Sequence, residues 1–419
     1  MKITLIQPYY ENIWESIGLG YIIGYCQKHR PDVQFQFYQG NFDDDQTIIN
    51  SSSDSDIIGF SCTSPAFAHA LRLSKSIKAI NPKAHTVFGG WHPSAMKGEC
   101  ITDSIDQIVI GEGEQAFLDI INGERAQIVQ GTKLGFQDLP FPDRKTIKNH
   151  RTVDLCESMN SKRITSFQGN RVCPVACIFC AEHIVTGRFR KSSNPIRSRD
   201  PEDILDEIEE VVKEYRIDYF KFVDATFDVS AKYVIDFCKA KIARGIDLEW
   251  EALIHPAFAT EEMMQWLAKA NCNQINIGCE SGSDKVLRKV GKGTKRATLV
   301  RVFKWAKDAG IERRGFFILG MPNEEIEDLL LTDTLIDEIK PDVVGFTILC
   351  PYPGTNIYDP AIHKGTNWEN TDEYSNDFWY TEHLTNRELH AWQAYFKTKY
   401  DPLLCERQEY SPEMGMGTE

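Results

Sequence analysis

The hydrophobic pattern changes character along the chain. Up to about residue 121, short apolar runs alternate with stretches of helical period. Residues 2–7, 33–38, 57–61, 86–88 and 107–110 predict strands; most are continuously apolar, as strands buried on both faces of a parallel sheet must be. Residues 18–29, 66–80 and 113–121 carry the apolar spacing of the helices between them. The alternation predicts an α/β, doubly wound, Rossmann-like sheet, whose ligand crevice lies in the strand-to-helix loops at the carboxyl edge. Those loops are 7–20, 61–64, 89–94 and 111–114. Gly89-Gly90 and Gly111-Glu112-Gly113 suit close backbone approach to a bulky ligand and equally suit tight turns.

Residues 122–160 show no clean period and contain Leu139-Pro140-Phe141-Pro142, which predicts a surface linker. A second alternation follows, with strand-like runs at 163–167, 217–223, 248–254, 274–279, 314–319 and 343–349. Residues 204–215 have the i, i+3, i+4 apolar spacing of an amphipathic helix, and Pro201-Glu202-Asp203 makes a favourable first turn. Six strands, each followed by a helix or crossover, predict a partial (β/α)6 barrel with its active face at the carboxyl ends of the strands. Beyond residue 365 the chain turns polar and aromatic (Trp368, Tyr374, Phe378, Trp379, Tyr380), then predicts one helix at 386–400 and a frayed tail at 408–419. The expected division is 1–125 for the front sheet, 126–160 for the linker, 161–360 for the barrel and 361–419 for a short α C-terminal cap.

A length of 419 residues allows two domains with cores of their own. A net charge of −14 without a sustained basic run argues against nucleic acid or an anionic membrane as partner. No apolar stretch reaches the roughly 18 residues of a membrane span, and the first residues lack a secretory pattern, so a cytoplasmic location is expected. There thiols stay reduced, so the twelve cysteines are either buried thiols or metal ligands. Cys26, Cys62, Cys100, Cys156, Cys238, Cys272, Cys279, Cys350 and Cys405 are scattered, mostly in apolar segments, and read as ordinary thiols.

The other three form CxxxCxxC, Cys173-Pro174-Val175-Ala176-Cys177-Ile178-Phe179-Cys180, directly after the first barrel strand. A structural zinc site needs four ligands and would have to recruit His183. A [4Fe–4S] cluster held by three cysteines keeps one iron without a protein ligand, open to chelation by a substrate's amino and carboxylate groups. The residue types leave both readings open.

CxxxCxxC with an aromatic before the last cysteine resembles the signature of the radical S-adenosylmethionine (SAM) superfamily. The resemblance implies that Cys173, Cys177 and Cys180 hold a [4Fe–4S] cluster, that SAM caps the fourth iron, and that its reductive cleavage gives a 5′-deoxyadenosyl radical able to abstract hydrogen from an unactivated carbon. It implies further SAM contacts at Phe179; at Asp224 and Thr226 of Phe222-Val223-Asp224-Ala225-Thr226-Phe227; at Glu280 and Ser281 of Gly278-Cys279-Glu280-Ser281-Gly282-Ser283; and at Ile318 and Gly320 of the run from Gly315 to Pro322. The second-strand segment departs from the commoner Gly-Gly-Glu form. At Ile254-His255-Pro256 many relatives carry an arginine that balances a carboxylate; this chain has none there, His255 reads either as a protonated substitute or as a turn residue beside Pro256, and the balancing cation stays open. Cys350-Pro351-Tyr352-Pro353-Gly354-Thr355 closes the sixth strand as in one large subgroup.

The front half is similar to the cobalamin-binding-like domain of that subgroup, through Ser16-Ile17-Gly18-Leu19-Gly20-Tyr21, Gly89-Gly90-Trp91-His92-Pro93-Ser94 and Gly111-Glu112-Gly113-Glu114. The similarity implies cobalamin at Ser61, Thr63, Gly89, Gly90, Gly111, Glu112 and Gly113. Where cobalt-ligating relatives have Asp-x-His-x-x-Gly, this chain has Gln7-Pro8-Tyr9-Tyr10-Glu11-Asn12-Ile13-Trp14, so no histidine of that loop reaches cobalt; His92 is the nearest alternative and reads as structural. The pairing of domains implies cobalamin-dependent methylation of an unactivated carbon on a small-molecule or peptide substrate, with electrons from a flavodoxin or ferredoxin. The alternatives are a cobalamin-independent oxidoreductase or cyclase whose front domain docks substrate, and a non-catalytic Fe–S or zinc protein. No catalytic residue is legible in the sequence.

Overall fold

The computed structural model describes residues 1–13, 15–188, 193–374 and 376–404. Trp14, Cys405 and the tail at 408–419 lie outside the described residues. The described chain falls into two compact units, Met1–Leu155 with Thr366–Asn370, and Cys156–Gly365 with the segment that begins at Thr371.

The first unit is built on a six-stranded parallel sheet: β1 (Lys2–Gln7), β2 (Gln34–Gln39), β3 (Ile57–Ser61), β4 (His85–Gly89), β5 (Gln107–Ile110) and β6 (Ile128–Gln130), in the order β2-β1-β3-β4-β5-β6. Alternate residues of one strand feed two cores. Leu5, Phe37, Val87 and Val109 pack with helices Ile17–His29 and Glu114–Ile121, whereas Ile6, Phe60, Phe88 and Ile108 pack with helix Ser64–Ile80. That division is why the strands read as continuously apolar. β1 lies between β2 and β3, so the direction of winding reverses at β1, and the crevice lies at the carboxyl ends of β1 and β3.

Residues 126–160, read from sequence as a linker, are more ordered than that. β6 pairs with β5, and helix His150–Asn160 follows. β6 has one buried position, Val129, between two exposed ones, too short a pattern to register as a period. Helices Asp45–Ser52 and Trp91–Met96 add to those expected.

The second unit carries β7 (Ile164–Phe167), a two-stranded antiparallel ribbon of β8 (Asn170–Arg171) and β9 (Arg197–Ser198), and then β10 (Tyr219–Phe222), β11 (Glu249–Ile254), β12 (Cys272–Glu280), β13 (Glu312–Leu319) and β14 (Val343–Ile348). Six of these form a parallel sheet in chain order, β7-β10-β11-β12-β13-β14, with helices after β10 to β14 and helix Pro201–Tyr215 before β10. This is the predicted partial barrel.

Three of its strands, β11, β13 and β14, alternate strictly in burial. Trp250, Ala252 and Ile254 of β11, Phe317 and Leu319 of β13, and Val344, Phe346 and Ile348 of β14 are buried, and rings on this face pack against the helices, as in Trp250 on Phe237 and Phe346 on Phe396. The intervening positions, including Glu251, Leu253, Asn276, Arg314, Phe316, Ile318 and Thr347, are only half-buried. The inner face of the sheet is therefore reachable by solvent, while the outer face is the core. Helix Asn386–Lys399 closes the described chain, its first turn fixed by a capping box of Thr385 and Glu388.

Candidate cofactor site

The cysteine loop leaves β8 through Val172, which holds φ = 78°. A β-branched residue is strained in that region, so the surroundings must impose the turn. Asp224, at the end of β10, supplies part of the restraint. Its Oδ1 accepts the backbone N–H groups of Gly169 and Asn170, both at 2.9 Å. The loop itself docks on the turn after helix Asp284–Lys289. Ile178 N–H donates to Val290 O at 3.0 Å, and Cys177 Sγ stands 4.0 Å from Gly291 O. Gly291 and Gly293 both have positive φ, and a Cβ at Gly291 would lie 3.4 Å from Ala176 O, so the two loops are in close contact.

Cys177 is buried; Cys173 and Cys180 are half-buried. Burial pushes all three thiols up, Cys177 to about 11 and Cys180 to about 12, while Lys292 acts in the opposite sense on Cys173 and Cys177. A metal that takes the proton's place stabilises the thiolate and offsets this cost of ionisation. The Glu182 amide already points at Cys180 Sγ, at 3.5 Å. A cubane asks for one thiolate on each of three irons, which a single loop of three cysteines supplies.

Beside the cysteines stands a buried ion pair, Lys292 Nζ to Glu280 Oε1 at 2.7 Å. Glu280 ends β12 at φ = 62°, after a register shift against β13. Gly278 lies directly beneath the pair, where a Cβ would be 2.8 Å from Lys292 Nζ. Burial alone would push the Lys292 ammonium down, yet Glu280 and the neighbouring thiols hold it above the usual lysine range. His255, which the sequence left between a protonated cation and a turn residue, is not a cation: burial drives its imidazole down to about 3. Its Nδ1 accepts the Ala257 amide, so Nε2 carries the proton of the neutral ring, and that atom is buried without a partner.

The His255 amide donates to Asp228 Oδ1 at 2.8 Å, and Thr226 Oγ1 donates to the same oxygen. Asp228 is fully buried, its Oδ2 has no partner, and burial pushes it up to about 7. Asp224 is likewise pushed up to about 7 by burial, against its two amide bonds. Lys292, Asp228 and the His255 Nε2 atom therefore add polar, buried groups to the mouth.

The apolar part of the mouth gathers Phe179 and Ile318, two of the sequence candidates, with Ile178 and Trp379 against Val290, Met321 and Leu349. Gly320 has φ = 83°, and Trp379 Nε1 donates to its carbonyl at 2.8 Å; a Cβ there would meet Leu389 at 2.9 Å and Trp379 at 3.0 Å. Buried Glu324 accepts the Gly320 amide at 2.7 Å, leaves Oε1 without a partner, and is pushed up to about 8. Ser281 is placed differently from the expectation. It is fully buried and faces Thr332 of helix Ile326–Ile339, because Gly282 lies directly against the Leu331 carbonyl. Asp224 also differs: its carboxylate is spent on the Gly169 and Asn170 amides rather than left open to a ligand amino group.

In the first unit the candidate residues do share one edge. Cys62 N–H donates to Gly89 O and His92 N–H to Cys62 O, so the β3 and β4 loops are joined through their backbones. Gly90 has φ = 95°, and a Cβ there would lie 2.9 Å from Cys62 N and O. The Gly111 amide donates to Ser94 Oγ at 3.0 Å, which ties in the β5 loop. Ser61, Gly89, Gly90, Gly111 and Gly113 are half-buried, Thr63 is exposed and Glu112 is buried. His92 is structural: its Nδ1 meets Ser64 Oγ, its ring lies 4.3 Å from that of Phe67, and burial takes it down to about 4.

Two family models match this chain: the radical SAM superfamily over residues 168–336 and the B12 binding domain over residues 5–121. The chain is a radical SAM enzyme with an N-terminal B12-binding domain. Among the relatives of this radical SAM enzyme, an uncharacterized methyltransferase of Pyrococcus horikoshii is 26% identical, over 86% of this chain and 83% of the relative. The anaerobic magnesium-protoporphyrin IX monomethyl ester cyclase of Rubrivivax gelatinosus is 25% identical, over 87% and 70%. The radical SAM methyltransferase TsrM of Kitasatospora setae, solved with cobalamin and a [4Fe–4S] cluster bound, shares the fold at TM-score 0.67 and 16% identity, over 85% of this chain and 76% of that one. The two domains imply a [4Fe–4S] cluster, SAM and cobalamin as cofactors of the enzyme. No helix among the described residues is long and apolar enough to cross a membrane.

Proposed function

We propose that this enzyme methylates an unactivated carbon of a small-molecule or peptide substrate. The observation that carries the reading is the three-cysteine loop at the carboxyl mouth of the β7–β14 sheet, in a chain whose other sheet is a B12-binding domain. When bound, the cluster and SAM supply a carbon radical by one-electron reduction, and cobalamin supplies a methyl group.

This chain's own residues provide the setting. Cys173, Cys177 and Cys180 hold the cluster on a loop positioned by Asp224 and by the 290–293 turn. Lys292 is the buried cation available to a carboxylate, and Asp228 Oδ2 the open acceptor for an amino group. Phe179 and Ile318 form an apolar wall suited to a flat ring. Glu280 orients Lys292, and Gly320 with Trp379 fixes the end of β13. In the front domain, Ser61, Thr63, Gly89, Gly90, Gly111, Glu112 and Gly113 line the corrinoid's edge, where main chain rather than side chain makes the surface. The half-buried inner face of the barrel sheet receives substrate. A flavodoxin or ferredoxin delivers the electron.

Anaerobic reconstitution tests the reading. The expected protein holds about four irons per chain, converts SAM to 5′-deoxyadenosine under reduction, retains one corrinoid, and moves a labelled methyl group from SAM to it. Iron and cleavage without corrinoid would instead favour the cobalamin-independent reading; zinc without turnover would remove the enzyme.

A further inference from the structure

Lys292 does not belong to the cysteine motif, yet it is placed by the same turn that holds the cysteine loop. Gly291 and Gly293 flank it, both with positive φ, at 73° and 70°. The Lys292 amide closes back on Leu287 O at 3.0 Å, so its backbone is fixed. Val290 O receives the Ile178 amide, Gly291 O lies next to Cys177 Sγ, and a Cβ on Gly293 would be 3.8 Å from Val175. The side chain cannot escape to water: both partners of the Lys292–Glu280 pair are below a tenth exposed. A cation held this firmly in a low-dielectric mouth acts strongly on any charge beside it.

From this geometry we infer that the Gly291-Lys292-Gly293 turn is the electrostatic platform of the cluster, with Lys292 raising its reduction potential and Glu280 moderating that effect. The inference rests on the assignment of Cys173, Cys177 and Cys180 as cluster ligands. One-electron reduction adds one negative charge to the cluster, and a fixed positive charge favours the reduced form over the oxidised one. The electron comes from the external one-electron donor, and no bond is made or broken in the step. Hydrogen bonding and net charge near the sulfurs are recognised levers on such potentials. The carboxylate of Glu280, 2.7 Å from the ammonium, works in the opposite sense. Lys292 is thus a positioning residue for the cluster, and it acts before any SAM is present.

The test uses the reconstituted full-length protein without SAM, so that binding of the cofactor's carboxylate cannot contribute. Midpoint potentials are read by redox titration of the reduced-cluster electron paramagnetic resonance signal, with iron content measured alongside. Lys292→Met is expected to keep its iron and move to a more negative midpoint, Glu280→Gln to a more positive one, and Lys292→Arg to stay near the wild type. The double variant should fall between the two single ones. A merely structural role would not give opposite signs. If Lys292→Met fails to load iron, Glu280→Gln alone decides: a positive shift supports the inference, and an unchanged or negative one overturns it. Loaded Lys292→Met with an unchanged midpoint also overturns it, while absence of any cluster in the wild type would remove the ligand assignment itself.

Discussion

Each of the two parallel sheets of this chain carries its candidate site loops at its own carboxyl edge, and the two furnish them in different ways. At the front sheet, the β3, β4 and β5 loops are fastened to one another by backbone and Ser94 hydrogen bonds, and what they offer outward is largely glycine. The one histidine there, His92, is buried, stacked and bonded to Ser64. At the barrel mouth the loops offer charge: a buried lysine–glutamate pair, a buried aspartate with one open oxygen, and three thiols. A glycine surface accommodates a large ligand whose reactivity is its own. A mouth of buried charges bears on species whose charge changes during reaction, where a fixed countercharge has its greatest effect.

If the regions differ in this way, they should fail separately. The largest effect is expected from Cys177→Ala, which should reduce iron from about four per chain to near zero and abolish 5′-deoxyadenosine formation, while corrinoid still binds; iron analysis and absorption spectra check both. The reciprocal substitution is Gly90→Ala. Its Cβ would sit 2.9 Å from the Cys62 backbone at a positive φ, a strain of about 1–3 kcal/mol. Corrinoid retention should fall severalfold with iron content unchanged, and a parallel loss of iron would break the comparison.

A third prediction concerns the buried charge. Asp228, pushed up to about 7 by burial, binds its proton more tightly in the native protein than in the unfolded chain, where an aspartate titrates near 4. The native state therefore loses stability as pH rises from about 4 to 7, by on the order of a few kcal/mol, and loses no more above that. Asp228→Asn removes this share, so urea unfolding should show the variant gaining on the wild type between pH 5 and pH 8. Gly320→Ala is smaller: crowding Trp379 and Leu389 at φ = 83° should cost about 1–2 kcal/mol and raise the KM for SAM a few-fold with little change in kcat. Smallest of all, His92→Gln should leave the absorption spectrum of bound corrinoid unaltered, since the ring is committed to Ser64 and Phe67.

Both sheets were legible because their strands are short apolar runs separated by helical periods, buried on two faces in the front sheet and alternating along β11, β13 and β14 of the barrel. β6 was not, since three residues with one buried position make no period. Lys292 escaped notice for a different reason: a lysine in a Gly-Lys-Gly turn looks like a solvated surface, and only the fold places Glu280 opposite it. Asp228 was hidden beside Asp224, which has the better motif position but gives its carboxylate to the Gly169 and Asn170 amides. For His255 the sequence left a cation and a turn residue open, because sequence reports residue type and not desolvation. Nor does the sequence show that Ser281 faces Thr332, which follows from the close approach of Gly282 to Leu331.

The strict alternation along β11, β13 and β14 carries a consequence for how such an enzyme changes over generations. Trp250, Phe317 and Phe346 hold the helices, and their neighbours Leu253, Phe316, Ile318 and Thr347 do not. One strand thus encodes two nearly independent texts, one for endurance and one for taste. A lineage can rewrite the second letter by letter, exchanging one substrate for another, without reopening the question of whether the protein folds.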